Sequence, residues 1–265
     1  MNPFLRWSLN SIPVVAVFLA AIGIWQVAVS VYEIHPIILP SPVRVFETLW
    51  EARVELGRGF LATGLAALLG LGTSLLLGVV VAIAFSQAQW IRRAFYPYVV
   101  FLQTVPIVAI APLLVIWSGY EFRTVVLVAA IVCAFPIVSN MTTGLISIDQ
   151  NLRDLFRLYG ATRWQELVKL RLPHALSHLI LGLRISAGLA VIGAIVGEFF
   201  VATNATDFAG LGTLMTGWQN QAKTSAVMAA ILVSTLLGMA MLASVNLLGG
   251  VLLRKWTRSA DFENE

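Results

Sequence analysis

Residues 151–171 read NLRDLFRLYGATRWQELVKLR, a run that sets seven charged side chains between two long apolar segments. Leu152, Leu155, Phe156 and Tyr159 fall at i, i+3, i+4 and i+7, which makes one apolar stripe on a helix. Gly160 ends that helix, and Thr162 with Gln165 has the T-x-x-Q form of a capping box for a second one. Trp164, Leu167 and Val168 share a face of this second helix, which is expected to stop at Pro173 because proline cannot continue it. Two short amphipathic helices about a glycine, held between apolar segments, form a part that something outside a membrane can grip.

The segments on either side are membrane spans. The chain is 59% hydrophobic and only 11% charged, outside the range of an ordinary soluble domain. Uncharged runs fill Ile12–Val31, Leu61–Phe85, Ala94–Tyr120, Thr124–Ile148 and Thr224–Leu253, and a sixth, Leu172–Gly197, is interrupted only by Arg184. Each reaches the roughly 20 residues a helix needs to cross a hydrocarbon core of about 30 Å. Six spans use most of the 265 residues, so the expected architecture is all-α: one polytopic membrane domain, 1–265, with a loop at 151–173. No room is left for a soluble catalytic domain. Arg6 ahead of an apolar stretch ending in Ala28-Val29-Ser30 has the outline of a signal peptide. The stretch is too long for a signal core, and the segment is expected to stay as a span.

Positive charge orients the spans. With the N-terminus inside, the cytoplasmic segments hold Arg6, Arg92, Arg93, Arg153, Arg157, Arg163, Lys169, Arg171, Arg254, Lys255 and Arg258; the outer ones hold Arg44, Arg53, Arg58, Arg123 and Lys223. Eleven against five predicts N-in and C-in, with the 151–173 loop in the cytoplasm. The net charge of +4 follows from that bias and calls for no nucleic-acid partner. The single cysteine, Cys133, lies in an apolar run and reads as packing.

Along the spans, several features carry two readings. Gly193 and Gly197 form a G-x-x-x-G that suits either packing within the chain or a subunit interface or gate. Pro97, Pro106 and Pro112 in the third run and Pro136 in the fourth free backbone carbonyls, with Gln103, Thr104 and Asn140 close by. Kinked helices carrying amides suit a translocation path, and equally suit static kinks. Arg184, about three turns into the fifth span, either snorkels or faces a cavity. Glu198, at the far end of that span, is either solvated or lines an outer mouth. Pro40 and Pro42 enforce an extended entry, with Ser41 capping an outer-surface helix that either lies at the headgroups or forms a docking rim for a partner. His174 and His178 stand four apart without an acidic third ligand or an H-E-x-x-H, so no metal site is expected. No catalytic constellation or cofactor loop can be assembled, and no cofactor is expected.

Taken together these fragments resemble the membrane permease subunits of bacterial binding-protein-dependent ATP-binding-cassette importers, nearest the group for nitrate, sulfonate, taurine and thiamin-pyrimidine precursors. The carrying fragments are Leu39-Pro40-Ser41-Pro42-Val43, a P-x-x-A-x-x-P-L at Pro106, Ala109, Pro112 and Leu113, and Phe135-Pro136-Ile137 onward to Gly144. The central loop matches at Gly160-Ala161 and Leu172-Pro173, followed by Gly182-Leu183-Arg184, Glu198 and Gly210-Leu211-Gly212. It departs where the family has E-A-A, which is Asp154-Leu155-Phe156 here.

The resemblance implies an ATPase-coupling site at Asp154, Leu155, Phe156, Gly160, Ala161, Thr162 and Pro173. It also implies a path drawing on Gln103, Pro106, Asn140, Arg184 and Glu198. Its implied partners are a cytoplasmic ATPase dimer, an extracytoplasmic substrate-binding protein, a second permease copy, membrane lipid and a small-molecule solute, at the bacterial inner membrane. Within the loop, Gly160 would permit the bend and Asp154 would favour a helix start. None of Lys169, Lys223 and Lys255 follows a glycine, so there is no phosphate-binding G-x-x-x-x-G-K-[ST], and this chain is not the ATPase. A channel or ion-coupled carrier is the rival reading; membrane-embedded acids or an inverted repeat would mark it. A membrane enzyme comes third.

Overall fold

An apolar chain can satisfy its backbone polar groups in a bilayer only as helices or a closed barrel. The computed structural model describes residues 3–201 and 209–257, and every regular element among them is helical. They fall into two compact units, Met1–Gly57 with Leu214–Val233, and Arg58–Thr213 with Ser234–Glu265.

The first unit holds α1, Pro3–Val31, and α2, Pro42–Glu51. The expected cap of α2 is present: the Ser41 hydroxyl accepts from the Arg44 amide at 3.3 Å, with Pro42 in the first turn where its missing N–H matters least. Pro42, Val45 and Thr48 are buried, whereas Val43, Phe46 and Trp50 are exposed. The Thr224 hydroxyl donates to the Ile37 carbonyl and so ties the later segment to the loop after α1.

The second unit carries most of α3, Arg53–Gln87, then α4, Gln89–Thr104, α5, Ile107–Ser118, α6, Phe122–Ile146, α7, Gln150–Leu158, α8, Arg163–Glu166, a π-helical turn, Leu167–Arg171, and α9, Leu172–Val201. It also takes the start of α10, Leu211–Asn220, and the end of α11, Thr224–Thr257. Among the described residues, α3, α6, the continuous helix Arg163–Val201 and Thr224–Leu253 are long and apolar enough to cross a membrane. The apolar stretch Val15–Val31 of α1 adds a shorter helix.

Two prolines behave differently from expectation. The third apolar run is two helices, α4 and α5, bent by 101°. The break falls at Pro106, whose ring disfavours the helical region for Val105; Val105 sits at φ −76°, ψ 123°. Pro173, in contrast, ends nothing. The chain runs helically from Arg163 to Val201 because Leu167–Arg171 widens into a π turn, in which the Leu172 amide reaches back to the Leu167 carbonyl. That wider turn absorbs the proline's missing donor and ring.

The packing of α6 against α9 is built on missing side chains. A Cβ added to Gly193 would stand 2.8 Å from the Ala129 Cα, one on Gly197 3.0 Å from the Val125 Cα, and one on Gly182 2.9 Å from the Pro136 carbonyl. At the other end, Gly144 meets the Ala175 Cα at 2.8 Å in the same sense. These are backbone atoms, so only glycine allows the approach, and the close contact supplies the dispersion energy that lipid would otherwise match. The G-x-x-x-G therefore packs within the chain.

Candidate functional site

The 151–173 segment forms the helix–glycine–helix unit that its sequence implies. Gly160 has φ +69°; its amide donates to the Arg157 carbonyl at 2.9 Å, and the Ala161 amide to the Phe156 carbonyl at 3.0 Å. This pair of bonds is a Schellman ending, which needs a left-handed residue where Gly160 stands. An added Cβ there would meet nothing within 4 Å, so the requirement is conformational and not one of space. Beyond it the capping box is complete: the Thr162 hydroxyl accepts from the Gln165 amide at 3.2 Å, and the Gln165 side chain accepts from the Thr162 amide at 2.8 Å. Asp154 does not start a helix. Asp149 does, its carboxylate accepting from the Asn151 amide at 2.9 Å, while Asp154 lies mid-helix and pairs with Arg157 at 3.4 Å.

Among the described residues the apolar stripe on α7 is largely uncovered, with only Phe156 half-buried. α7 has no buried residue, and Leu152, Leu155 and Tyr159 are 47%, 46% and 84% exposed. On the second helix the expected face divides, Leu167 turning inward while Trp164 and Val168 stay out. Leu167 packs with Ala82, Met141, Leu145 and Ala175, which seats the loop on the spans. A charged lock that sequence reading missed reinforces this seat. Glu166 is buried and accepts from Arg153 at 2.9 Å and from Arg171 at 2.6 Å; Arg171 also reaches the Ser86 carbonyl at 3.1 Å. One carboxylate thus pins the first helix to the second and both to the end of α3.

The five path candidates do not form one cluster. Gln103 and Pro106 line a cavity of about 290 Å³ at the α4–α5 break, with Ile110, Phe135, Pro136 and Leu189. Asn140 turns its amide onto its own helix, donating to the Pro136 carbonyl at 2.8 Å. Arg184 is exposed on α9, and its side chain has no hydrogen bond or ion pair among the described residues. Glu198 is fully buried, and the start of α10 is held through it. The Gly212 amide donates to its carboxylate at 2.7 Å, and the Thr63 hydroxyl donates at 2.8 Å. That same hydroxyl accepts from the Leu211 amide at 2.8 Å. Gly210 and Gly212 leave no room for a side chain against the Glu198 carboxyl. Thr63 gave no sequence signal beyond its neighbour Gly64. Asp149 did, as an N-cap residue just ahead of an amphipathic stripe.

Among the described residues no three potential ligands converge as a metal site. His174 and His178 stack with ring centres 5.6 Å apart and touch Ser147 and Ser177.

Comparison with known proteins gives this arrangement its context. Residues 74–258 match the family described as binding-protein-dependent transport system inner membrane component. The chain is 33% identical to the formylaminopyrimidine transport permease protein of Halalkalibacterium halodurans, over 89% of this chain and 92% of that one. It is 31% identical to the riboflavin transport system permease protein of Chloroflexus aurantiacus, over 96% and 92% of the two chains. Against a putative aliphatic sulfonates transport permease protein of Bacillus subtilis the identity is 29%, over 90% and 85%. With a family model matching well over half of it and relatives above 30% identity along most of its length, the chain belongs to the binding-protein-dependent inner-membrane component family, as a membrane-spanning permease subunit of an ATP-binding-cassette importer.

Proposed function

We propose that Asp154–Pro173 is the surface gripped by a separate pair of cytoplasmic ATPases, and that ATP hydrolysis takes place there and not on this chain. The supporting observation is the apolar stripe of α7: Leu152, Leu155 and Tyr159 are spaced to be buried yet stay exposed among the described residues. The Gly160 ending and the Glu166 lock hold that stripe rigidly on α9, so a push on α7 passes into the Arg163–Val201 helix. In this reading the whole chain is one permease domain that pairs with a second copy, oriented N-in and C-in. A soluble receptor delivers a small-molecule solute on the outer side.

The path in this reading runs by Gln103 and Pro106 at the bent α4–α5 pair. Arg184 faces it or the second copy, since a guanidinium against lipid is costly. Two relatives above 30% identity are named for formylaminopyrimidine and riboflavin transport, which makes nitrogen heterocycles the first solutes to test. Leu155→Asp with Tyr159→Asp should leave the chain in the membrane, because insertion depends on apolar runs and flanking charge. The pair should abolish co-purification of the ATPase and ATP-dependent uptake in reconstituted vesicles. Normal docking and uptake in that variant would sink the assignment.

A further inference from the structure

Beside the coupling loop lie two adjoining cavities of opposite character. The first, about 700 Å³, is walled by Arg92, Arg153, Arg157, Arg163 and Arg171 against a single carboxylate, Glu166. Glu166 engages Arg153 and Arg171, and Asp154 engages Arg157. Among the described residues the side chains of Arg92 and Arg163 have no hydrogen bond or ion pair. The basin therefore presents at least two uncompensated guanidinium groups, each able to fork onto a phosphate.

The second cavity, about 340 Å³, lies between the first half of α4 and the last turns of α6, and it shares Arg92 and Ile146 with the basin. Its wall is largely apolar, with Tyr96 and Pro97 on one side, and Arg93 joins Arg92 along it. Thr142, also in that wall, is 2% exposed, and its hydroxyl has no hydrogen-bond partner. A hydroxyl so buried normally has one. On the same helix α4, Trp90, Phe95 and Tyr98 are exposed, the aromatic types that settle at the headgroup level.

We propose that the two cavities together hold one anionic phospholipid, its phosphate in the basin against Arg92 and Arg163 and an acyl chain in the cleft along Tyr96, Pro97 and Ile146. Charge and continuity select this occupant. A free inorganic anion would use the basin and leave the cleft unexplained, and a zwitterionic lipid would bring its own cation toward the arginines. An acidic protein surface would meet the basin but would not enter a cleft between two apolar helices. Basic pockets at the ends of membrane helices take anionic headgroups for these reasons. Arg163 lies within the Asp154–Pro173 segment assigned to the ATPases whereas Arg92 lies on α4, so the inference rests on a docking that leaves the basin open.

The test is native mass spectrometry of the intact transporter, this chain with its partner subunits, titrated with phosphatidylglycerol, phosphatidylcholine or inorganic phosphate. Phosphatidylglycerol should be retained over phosphatidylcholine by on the order of tenfold, and Arg92→Gln with Arg163→Gln should remove that preference. Ile146→Trp, at a site 40% exposed, fills the shared neck without touching charge and should lower retention by itself. Undiminished phosphatidylglycerol retention in both variants would overturn the proposal. So would inorganic phosphate displacing the lipid completely, which would show that the basin takes a soluble anion alone. Loss of the ATPase from the arginine variant with lipid retention unchanged would overturn it too, by making the basin a protein contact.

Discussion

Gly160 shows how much one backbone angle can be asked to do. Its φ of +69° completes the Schellman ending of α7, and nothing lies within 4 Å of where a Cβ would be. Bulk at the bend is therefore not the issue; any non-glycine residue meets only the left-handed penalty of about 1–2 kcal/mol. That is too small to unfold a bundle whose spans lie elsewhere, and large enough to let α7 swing away from α8. Gly160→Asn, Gly160→Ala and Gly160→Val should insert equally, since asparagine tolerates this conformation best and a β-branched residue least. ATP-dependent uptake in vesicles should fall in that order. Equal uptake across the series would mean that the bend carries no force. Glu198 makes the complementary point. A carboxylate at the end of a span suggests a wet outer mouth, but here it is sealed between Thr63 and the amide of Gly212, at the start of α10.

At the scale of elements, α6 and α9 owe their contact to four glycines, and the seam can be tested against a built-in control. Gly193→Leu drives a side chain into the Ala129 backbone, whereas Gly188, on the same helix, has nothing within 4 Å of its would-be Cβ. Gly193→Leu should lower the thermal stability of the purified chain sharply, and Gly188→Leu should leave it near wild type. Similar melting of the two would show that α9 does not pack as described. The helices themselves were readable from apolar run length, and the capping box and Gly160 from local chemistry, because each depends on neighbours in sequence. The two prolines were not separable by that route. Pro106 and Pro173 carry the same missing donor and the same ring, but a π turn ahead of Pro173 accommodates it, while Val105 leaves the helical region before Pro106. Likewise the Arg171–Ser86 and Thr63–Glu198 contacts join residues distant in the chain. Periodicity and motif spacing are blind to such pairs.

For the whole molecule, orientation in the membrane governs every other assignment, since a coupling loop on the outer face could meet no cytoplasmic ATPase. The expectation of N-in and C-in rests on the excess of arginine and lysine in the segments placed inside, and positive charge is held on that side during insertion. The chain offers a clean way to test it. Its one cysteine, Cys133, is buried, so an impermeant maleimide has no accessible native thiol to label. Leu158, at the end of α7, is 84% exposed, and Glu51, at the end of α2, has a side chain 62% exposed; neither is held by packing. In cells expressing this chain alone, Glu51→Cys should label from outside, and Leu158→Cys only in inside-out vesicles. The reverse pattern would put the bare stripe of α7 beyond reach of any ATPase and remove the basis for coupling. Labelling of both positions from outside would instead break the six-span count between α2 and α7, where the bent α4–α5 pair is the element whose crossing the charge argument assumes.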